Sequence, residues 1–434
     1  MTRSRWAVAA VMGVCLLAYV GDARPHPEVD CVAAPYTAWS LVRRGSFDLR
    51  PYEAMRSHVG TNVRETADES WISIRAPGAA LTAVPIIAPF ALFRAEPFKS
   101  GTMDLLGKLS AALSVAGAAG LFFMVCRRLT PDVAWPATIL FALGSSLCSV
   151  ASQALWMHGP AAFWLCMALY ILIVKKGESG AFLWSVAAGV AFGMAALCRP
   201  NVAIYGAATG LSYLLCRHWR AAGGLLLGVV PPMALLLGLN YWYFGSTLLG
   251  GYSGVENTEA PPLWEGLGGL LFSPSRGLFV YSPALLLLPL GVAALARRSD
   301  APRPLLLAWG AGFAVTALLY ARWREWHGGW SYGPRFFGES MSILALLFAY
   351  AFDVLRAAWS RSLARGLVAL SVAIHLLGLY TYGGEYAAWH DRHIEHGDGR
   401  GLFAVRDTQI EAHLTCAWRH LSGARPPVPS PPHG

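Results

Sequence analysis

Two acidic side chains, Asp22 and Asp30, follow directly on the first hydrophobic segment of this chain. An ionised carboxylate can take the proton from a hydroxyl group, which makes each of them a candidate general base. Pro35 then opens a segment whose apolar residues recur at helical spacing, and Gly45 closes it. The spacing predicts an amphipathic surface helix with Asp30 just ahead of its N-terminus. The alternative is an ordinary solvated loop, in which acidic residues are common.

A second group of candidates lies in residues 322–335, where arginines alternate with aromatic residues and glycines. Arginine and protonated histidine can stabilise negative charge on a phosphate group. Aromatic rings can stack on the apolar faces of a sugar, although tryptophan and tyrosine also serve as plain anchors at a membrane surface. The glycines permit tight turns. The candidates in this segment are Arg324, His327, Trp330, Tyr332 and Arg335.

Three further polar residues stand singly beside apolar runs. His158 opens one such run and either makes a hydrogen bond at a helix end or contacts a ligand. Arg199 and Arg276 either extend their charged ends toward water or bind a phosphate. Each signal is weak alone, but the three residues are predicted to lie on the same face of the protein, which strengthens the case for a binding site.

The composition shows which elements must position these residues. Only 14% of the 434 residues are charged and 55% are hydrophobic, whereas a soluble domain has about 25% charged residues. Repeated apolar runs of spanning length account for the deficit and predict an all-α polytopic membrane protein. The net charge of +9 comes from small basic clusters between these runs. That distribution is typical of cytoplasmic loops and excludes a nucleic-acid-binding stripe.

The apolar runs predict eleven transmembrane helices, with the N-terminus in the cytoplasm and the C-terminus outside. A cleaved signal peptide is the alternative for the first run. Residues 77–93 are apolar but contain three prolines, and counting them as a span would place the basic clusters outside. They are therefore assigned to an interfacial helix. The predicted spans are 6–21, 103–125, 132–152, 158–175, 181–197, 201–216, 221–243, 276–296, 303–321, 335–355 and 363–384.

This topology divides the chain into regions and gathers the candidate residues on the extracytoplasmic face. Residues 1–384 form the transmembrane domain, and 22–102 are its large first extracytoplasmic loop with surface helices. An extracytoplasmic segment follows at 385–423, and the proline-rich residues 424–434 are predicted to be disordered. Cys31 and Cys416 lie in polar segments, and a shared outer face would allow them to form a disulfide.

The predicted arrangement of spans, outer loop and candidate residues resembles that of the GT-C fold glycosyltransferases. Within them it is most similar to the protein O-mannosyltransferase and aminoarabinose transferase branch, including its uncharacterised bacterial relatives. The resemblance covers nearly the whole chain. Asp30 occupies the position of the family's aspartate in the first outer loop, ahead of a surface helix. The stretches that look most like the family are Arg75–Leu81, Gly107–Leu109, Ala154–Pro160, Phe272–Leu278 and Trp330–Arg335.

The chain departs from the family pattern in two places. Many relatives carry a second acid beside the aspartate, where this chain has Cys31. The interfacial helix also lacks the double proline seen in many members. The first departure weakens the case for a metal site built on paired carboxylates, so no metal ligand is assigned and a divalent cation stays an alternative.

The resemblance implies an inverting transfer of a hexose, mannose-like, from a polyprenyl-phosphate carrier to an acceptor hydroxyl on the outer face of the plasma membrane, as part of cell-envelope chemistry. The acceptor is a lipid, a polysaccharide or a protein. Asp30 is the expected base, with Asp22 second, and the arginines and histidines above are the expected phosphate ligands. The alternatives are a transporter or flippase for a polar lipid and a family member without catalytic activity. A transporter requires polar groups near the midplane and access from both faces.

Overall fold

The computed structural model describes residues 2–22, 24–55, 62–94, 96–175, 181–252, 260–381, 388–395 and 400–422. The described chain is almost entirely helical, so the predicted all-α integral membrane fold is confirmed. The proline-rich tail at 424–434 and the basic residue Lys176 lie outside the described residues, and the segment 385–423 is described only in part.

The first two helices are α1, Thr2–Val20, and α2, Val29–Arg44. Helix α2 begins six residues before Pro35, so this proline lies inside the helix, where it removes one helical hydrogen bond. Asp30 therefore lies inside the first turn of α2. The sequence had predicted a position just ahead of the helix, and this prediction was wrong. Gly45 ends α2 as predicted, in the left-handed conformation with φ of +64°.

A short antiparallel hairpin, β1 (Val63–Glu65) and β2 (Trp71–Ser73), leads from α2 to helix α3, Gly78–Phe93. Helix α3 is the apolar, proline-containing segment that the sequence assigned to the interface. Its 16 residues are fewer than the roughly 20 that a straight crossing requires. Its buried residues pack against α2, so together they form a separate small core beside the main bundle.

The remaining helices follow in chain order, and within the described ranges six helices are long and apolar enough to cross a membrane by length and composition. These six are Ser100–Leu129, His158–Lys175, Ala181–Cys198, Trp219–Phe244, Arg303–Ala321 and Ala358–Tyr380. The helices are α4 (Ser100–Leu129), α5 (Ala134–Ala142), α6 (His158–Tyr170), α7 (Ala181–Cys198), α8 (Ala203–Leu215), α9 (Trp219–Phe244), α10 (Leu263–Phe272), α11 (Leu278–Tyr281), α12 (Leu288–Arg297), α13 (Arg303–Ala321), α14 (Met341–Val354), α15 (Ala358–Tyr380) and α16 (Gln409–Ser422).

Several predicted spans are shorter or interrupted, and the count of eleven stays a prediction. The segment 132–152 is interrupted after Ala142, where the hydroxyl of Ser145 donates to the carbonyl of Phe141, and it resumes as a π-helix over Leu147–Ala151. The segment 276–296 is interrupted at Pro283, which has no N–H to donate. Two other spans are reduced to the 13 residues of α8 and the 14 residues of α14.

Close helix packing holds the bundle rigid beneath the site. Gly189 on α7 and Gly228 on α9 face each other so closely that a Cβ on either would overlap backbone of the other helix. Small residues at such crossings let backbones approach in the absence of a hydrophobic driving force between spans. The bundle therefore fixes the end of α9 relative to the end of α7, and both ends carry residues of the candidate site.

Candidate active site

Asp30 is held by two arginines from distant parts of the chain. Arg75 Nη2 donates to Oδ1 of Asp30 at 2.5 Å, and Arg335 Nη1 donates to Oδ2 at 3.2 Å. The three side chains are only 11–20% exposed. Two guanidinium groups against one carboxylate leave one net positive charge. We call Asp30, Arg75 and Arg335 the acid–arginine cluster.

Arg75 reaches Asp30 from the link between β2 and α3. Its Nε donates to Oδ1 of Asn62 at 2.9 Å, and its Nη1 donates to the hydroxyl of Tyr252. The guanidinium also lies over the Tyr252 ring, 5.3 Å from the centroid. Because all of its nitrogens have partners in fixed segments, the position of Arg75 beside Asp30 is set by the hairpin and by the turn after α9.

Arg335 reaches Asp30 from the other side, at the start of a short 3₁₀ turn. Its guanidinium packs over the Trp156 ring, 4.6 Å from the centroid, which is a cation–π geometry. Gly333 precedes it with φ of +68°, and a Cβ there would overlap the ring of Tyr281. The turn that aims Arg335 at Asp30 therefore requires glycine at this position.

The electrostatics of the cluster keep the Asp30 carboxylate ionised. Burial by itself disfavours the charged form, but the charges of Arg335 and Arg75 outweigh it and hold the pKa of Asp30 below its usual value. A carboxylate in this state can accept a proton. If another anion also binds to the two arginines, their charge lowers the pKa of Asp30 less. The carboxylate of Asp30 is then a stronger base.

A second buried ion pair lies next to the acid–arginine cluster. Arg199 Nη1 donates to both carboxylate oxygens of Glu339, at 2.8 and 2.9 Å, and Nδ1 of His158 lies 3.0 Å from Oε1 of the same carboxylate. The Arg199 Nη2 also donates to the hydroxyl of Tyr320. The side chains of the first three are 3–6% exposed. The charge of Arg199 is thus matched by Glu339, and His158 joins the pair at the start of α6.

Arg276 has neutral partners. Its Nη2 donates to the carbonyl of Gly329 at 3.1 Å, and its Nη1 donates to the carbonyl of Ser331. Gln409, the first residue of α16, donates from Nε2 to the same Ser331 carbonyl at 2.9 Å. The Oε1 of Gln409 accepts from the hydroxyl of Tyr281 at 2.9 Å and from the N–H of Gly333 at 3.0 Å. We call Arg276, Tyr281 and Gln409 the loop-support cluster.

The aromatic candidates of the segment 322–335 lie against the rest of the protein. Trp330 stacks on His390 with ring centroids 3.7 Å apart. Tyr332 is fully buried, donates to the carbonyl of Ile374, and meets the His413 ring edge-on. The expectation that these two rings contact a sugar therefore has no support in their positions, because Tyr332 is buried and one face of the half-buried Trp330 is stacked on His390.

The two remaining candidates of this segment differ in charge and exposure. His327 accepts a hydrogen bond on Nδ1 from the N–H of Gly329, and burial together with the charge of Arg276 lowers its pKa to about 3. It is therefore neutral at physiological pH and adds no positive charge, which corrects the expectation of a cation. Arg324 lies exposed on the surface of the loop.

Asp22 lies in a local ion pair. Its carboxylate accepts from Arg24 at 3.0 Å and lies 3.7 Å from Nε2 of His26. The described contacts of Asp22 do not include Asp30 or either arginine of the acid–arginine cluster. Cys31 and Cys416 form no disulfide among the described residues, since each thiol is buried in a different environment.

An open cavity lies beside Asp30 and Arg75, and its empty space of about 600 Å³ includes the open solvent at its mouth. Most of its lining is apolar and comes from α2, from the strand β2 and the start of α3, and from the last turn of α9. Such a cavity, with few polar groups at defined positions, is the usual form of a small-molecule site. The lining includes Asp30, Thr37, Arg75, Ala79, Asn240, Tyr243 and Phe244.

The residues around Asp30 do not fit a divalent cation. Both of its oxygens accept from guanidinium groups, and the neighbouring residue Cys31 is a buried thiol. Hard cations require several oxygen ligands. Within the described ranges, no group of three or more His, Cys, Asp or Glu side chains is arranged to hold a metal ion.

Four residues of this site had no assigned role from the sequence. Arg75 belonged to a stretch that resembled the family, but nothing in the local pattern marked its contact with Asp30. Glu339 was included in a predicted span, where an acidic residue is itself a signal of function or pairing. Asn240 lies in the polar end of a predicted span, and Gln409 lies in a segment without a recognisable pattern.

Solved structures share this architecture. The crystal structure of ArnT from Cupriavidus metallidurans bound to undecaprenyl phosphate aligns with a TM-score of 0.56 and 16% identity, over 98% of this chain and 76% of that chain. The Archaeoglobus fulgidus oligosaccharyltransferase in complex with zinc and sulfate aligns with a TM-score of 0.56 and 14% identity, over 92% of this chain and 58% of that chain.

No protein-family sequence model and no curated protein sequence matches the chain. The similarity is therefore one of three-dimensional structure. Both neighbours have the GT-C fold, and the chain has it too, as the sequence predicted. At identities of 14–16% the likeness extends to the fold, so the activity has to be argued from the site itself.

Proposed function

We propose that this GT-C fold membrane protein is a glycosyltransferase that moves a hexose, mannose-like, from a polyprenyl-phosphate carrier to an acceptor hydroxyl on the extracytoplasmic face, with inversion. The observation that carries the proposal is the acid–arginine cluster, two of whose members, Asp30 and Arg75, line a largely apolar cavity. The neighbour ArnT binds undecaprenyl phosphate, a lipid of the class that the proposal requires.

The cluster contains the groups that this reaction needs. The oxygen of the acceptor hydroxyl forms a bond to the anomeric carbon as the bond from that carbon to the phosphate oxygen breaks. The phosphate leaves with the bonding electron pair, and Asp30 takes the proton of the hydroxyl. Arg75 and Arg335 stabilise the negative charge that develops on the departing phosphate.

Two cations around one carboxylate also couple donor binding to the strength of the base. A phosphate that approaches Arg75 and Arg335 shares their charge with Asp30, so the pKa of Asp30 rises when the donor binds. The base is then stronger in the complex than in the free protein. The net positive charge of the cluster favours this arrangement over one in which the carboxylate repels the phosphate.

The proposed roles of the other candidates follow from their partners. Arg199, matched by Glu339 and joined by His158, supports the wall next to Arg335 and contributes no unmatched charge to a phosphate. Arg276 supports the loop that carries Arg335. Arg324 lies exposed, where it can meet an acceptor that approaches from the solvent. The acceptor, whether lipid, polysaccharide or protein, binds on this same face in the proposal.

The decisive experiment is a transfer assay with purified protein in vesicles supplied with polyprenyl-phosphate hexoses. The proposal predicts transfer of the hexose to an acceptor, and loss of a glycan from the envelope of a deletion strain detected by mass spectrometry. Movement of the lipid across the bilayer without transfer of sugar would favour a flippase instead.

Sidedness is tested separately. Single cysteines introduced near Arg298 and near Gly329 lie on opposite sides in the proposed topology. An impermeant thiol reagent added to intact cells should label only the cysteine near Gly329. Labelling near Arg298 from outside would contradict both the topology and the placement of the site on the outer face.

A further inference from the structure

The last turn of α9 forms a distinct wall of the cavity. Asn240, Tyr243 and Phe244 line it, and the helix ends at Gly245, whose N–H donates to the carbonyl of Tyr241 at 2.9 Å. The Tyr243 ring meets the Phe47 ring edge-on with centroids 6.3 Å apart. The wall therefore consists of one amide and two rings on a fixed helix end, and it carries no ionised group.

The amide of Asn240 has a defined orientation. Its Nδ2 donates to the carbonyl of Thr247 at 3.0 Å, across the turn that follows α9. This bond uses one of the two N–H groups of the amide and, among the residues that the structure describes, leaves the second N–H and the carbonyl oxygen with unused capacity. A polar group held in this way in a largely apolar cavity sets the orientation of a bound molecule.

The donor in the proposed function has three parts, and each requires different surroundings. The phosphate requires cations, which Arg75 and Arg335 provide. The isoprenoid chain requires apolar contacts, which most of the cavity lining provides. The sugar requires hydrogen bonds to its hydroxyl groups together with an apolar surface beneath its ring, and within the described lining Asn240 and Tyr243 combine these two properties.

We infer that the end of α9 recognises the sugar of the donor: the Asn240 amide hydrogen-bonds a hydroxyl of the hexose, and the Tyr243 ring packs against the sugar ring. This inference rests on the proposed function. It assigns to Asn240 the selection of the sugar, separately from the binding of the carrier phosphate. A residue that hydrogen-bonds a substrate hydroxyl discriminates strongly against analogues that lack it or present it in another direction.

The test compares two lipids on the full-length protein in nanodiscs: polyprenyl phosphate alone and the same lipid carrying a hexose. Asn240→Ala and Asn240→Leu should weaken binding of the glycosylated lipid about tenfold, the equivalent of one well-placed hydrogen bond. Binding of polyprenyl phosphate should be unchanged, and this also shows that the variants are folded. The matched control is Trp242→Ala, which changes a 79% exposed residue of the same helical turn that does not line the cavity.

Two outcomes would overturn the inference while the proposed function stands. Equal weakening of both lipids would place the carrier, and not the sugar, against Asn240. Unchanged binding of both would remove Asn240 from the donor site. Arg75→Met serves as the positive control and should weaken both lipids. If the unmodified protein binds neither lipid, the proposed function fails and the inference with it.

Discussion

Arg335 is the last residue of the segment 328–335, and Arg276 donates to two carbonyls of that segment. The guanidinium groups of these two arginines nevertheless have different partners. Arg335 belongs to the acid–arginine cluster, where it shares one carboxylate with Arg75 and leaves a net positive charge beside the cavity. Arg276 belongs to the loop-support cluster, where it donates to two backbone carbonyls. Arginines with the same sequence signal can therefore either bind a ligand or fix the shape of the backbone that carries one.

The two arginines differ in the kind of hydrogen-bond acceptor to which their guanidinium groups donate. A carboxylate partner can be displaced by a phosphate, because both are anions that accept the same paired hydrogen bonds. Arg276 donates to two backbone carbonyls of a buried loop, so removing it takes one donor from each of them, although the Ser331 carbonyl still accepts from Gln409. Substitutions in the first cluster should change the chemistry, and substitutions in the second should change the stability of the loop.

The largest effect is expected for Asp30→Asn, which keeps the size of the side chain but cannot accept the acceptor's proton. General-base catalysis contributes about 10²–10⁴-fold, so transfer should fall by roughly this factor while donor binding changes far less. Asp22→Asn is the control, because its carboxylate is paired locally with Arg24. Equal rates for Asp30→Asn and the unmodified protein would remove Asp30 from the catalytic role.

Arg335→Ala should weaken binding of polyprenyl phosphate by about 10- to 100-fold, as expected for loss of a charge-assisted hydrogen bond. Arg361→Ala is the matched control: Arg361 lies on α15, over the ring of Phe352, and is absent from the acid–arginine cluster and from the cavity lining. Similar losses in the two variants, at equal protein levels, would mean that the effect of Arg335 is not specific to the phosphate.

The pH dependence of transfer should follow the charges around Asp30. Because Arg335 and Arg75 hold its pKa below the usual value, activity should be lost only as the pH falls through that low pKa. Arg335→Met removes one of these charges, so the pKa rises and the acid limb of kcat/KM should move to higher pH. An unchanged limb in this variant would contradict the assignment of Asp30 as the titrating base.

In the unmodified protein, the acid limb of kcat should lie at higher pH than the acid limb of kcat/KM. The first reports the complex and the second the free enzyme, and the bound phosphate shares the charge of the arginines. Arg361→Met should leave both limbs in place. Coincident limbs would indicate that donor binding does not change the environment of Asp30.

The smallest effect on chemistry is expected in the loop-support cluster. Arg276→Met and Gln409→Met should lower the free energy of unfolding by about 1–3 kcal/mol, because each removes hydrogen bonds from buried polar groups. A thermal denaturation midpoint measured in detergent should fall, while transfer per folded molecule should fall less than in Arg335→Ala. A loss of phosphate binding as large as that of Arg335→Ala, without loss of stability, would place Arg276 among the ligands.

Much of the overall plan could be predicted from the sequence. Apolar runs with few charges identify membrane helices, because each span must be apolar over its own length and no distant contact can replace that requirement. The end of the surface helix at Gly45 was also recognisable, since caps act within a few residues, whereas its start was predicted at Pro35 and lies at Val29. The predicted lengths of some spans were wrong where serine, glycine or proline ended a helix locally.

The partners of the charged side chains were decided only by the tertiary structure. Asp30 and Arg335 are 305 positions apart, and Arg199 and Glu339 are 140 apart. Local pattern predicts that the candidate arginines share one face, but it does not tell which of them meets a carboxylate, which a backbone carbonyl and which the solvent. The partner that stabilises a buried charge comes here from a distant segment, so it is determined only when the helices pack. This pairing distinguishes the arginines beside the cavity from those that support its walls.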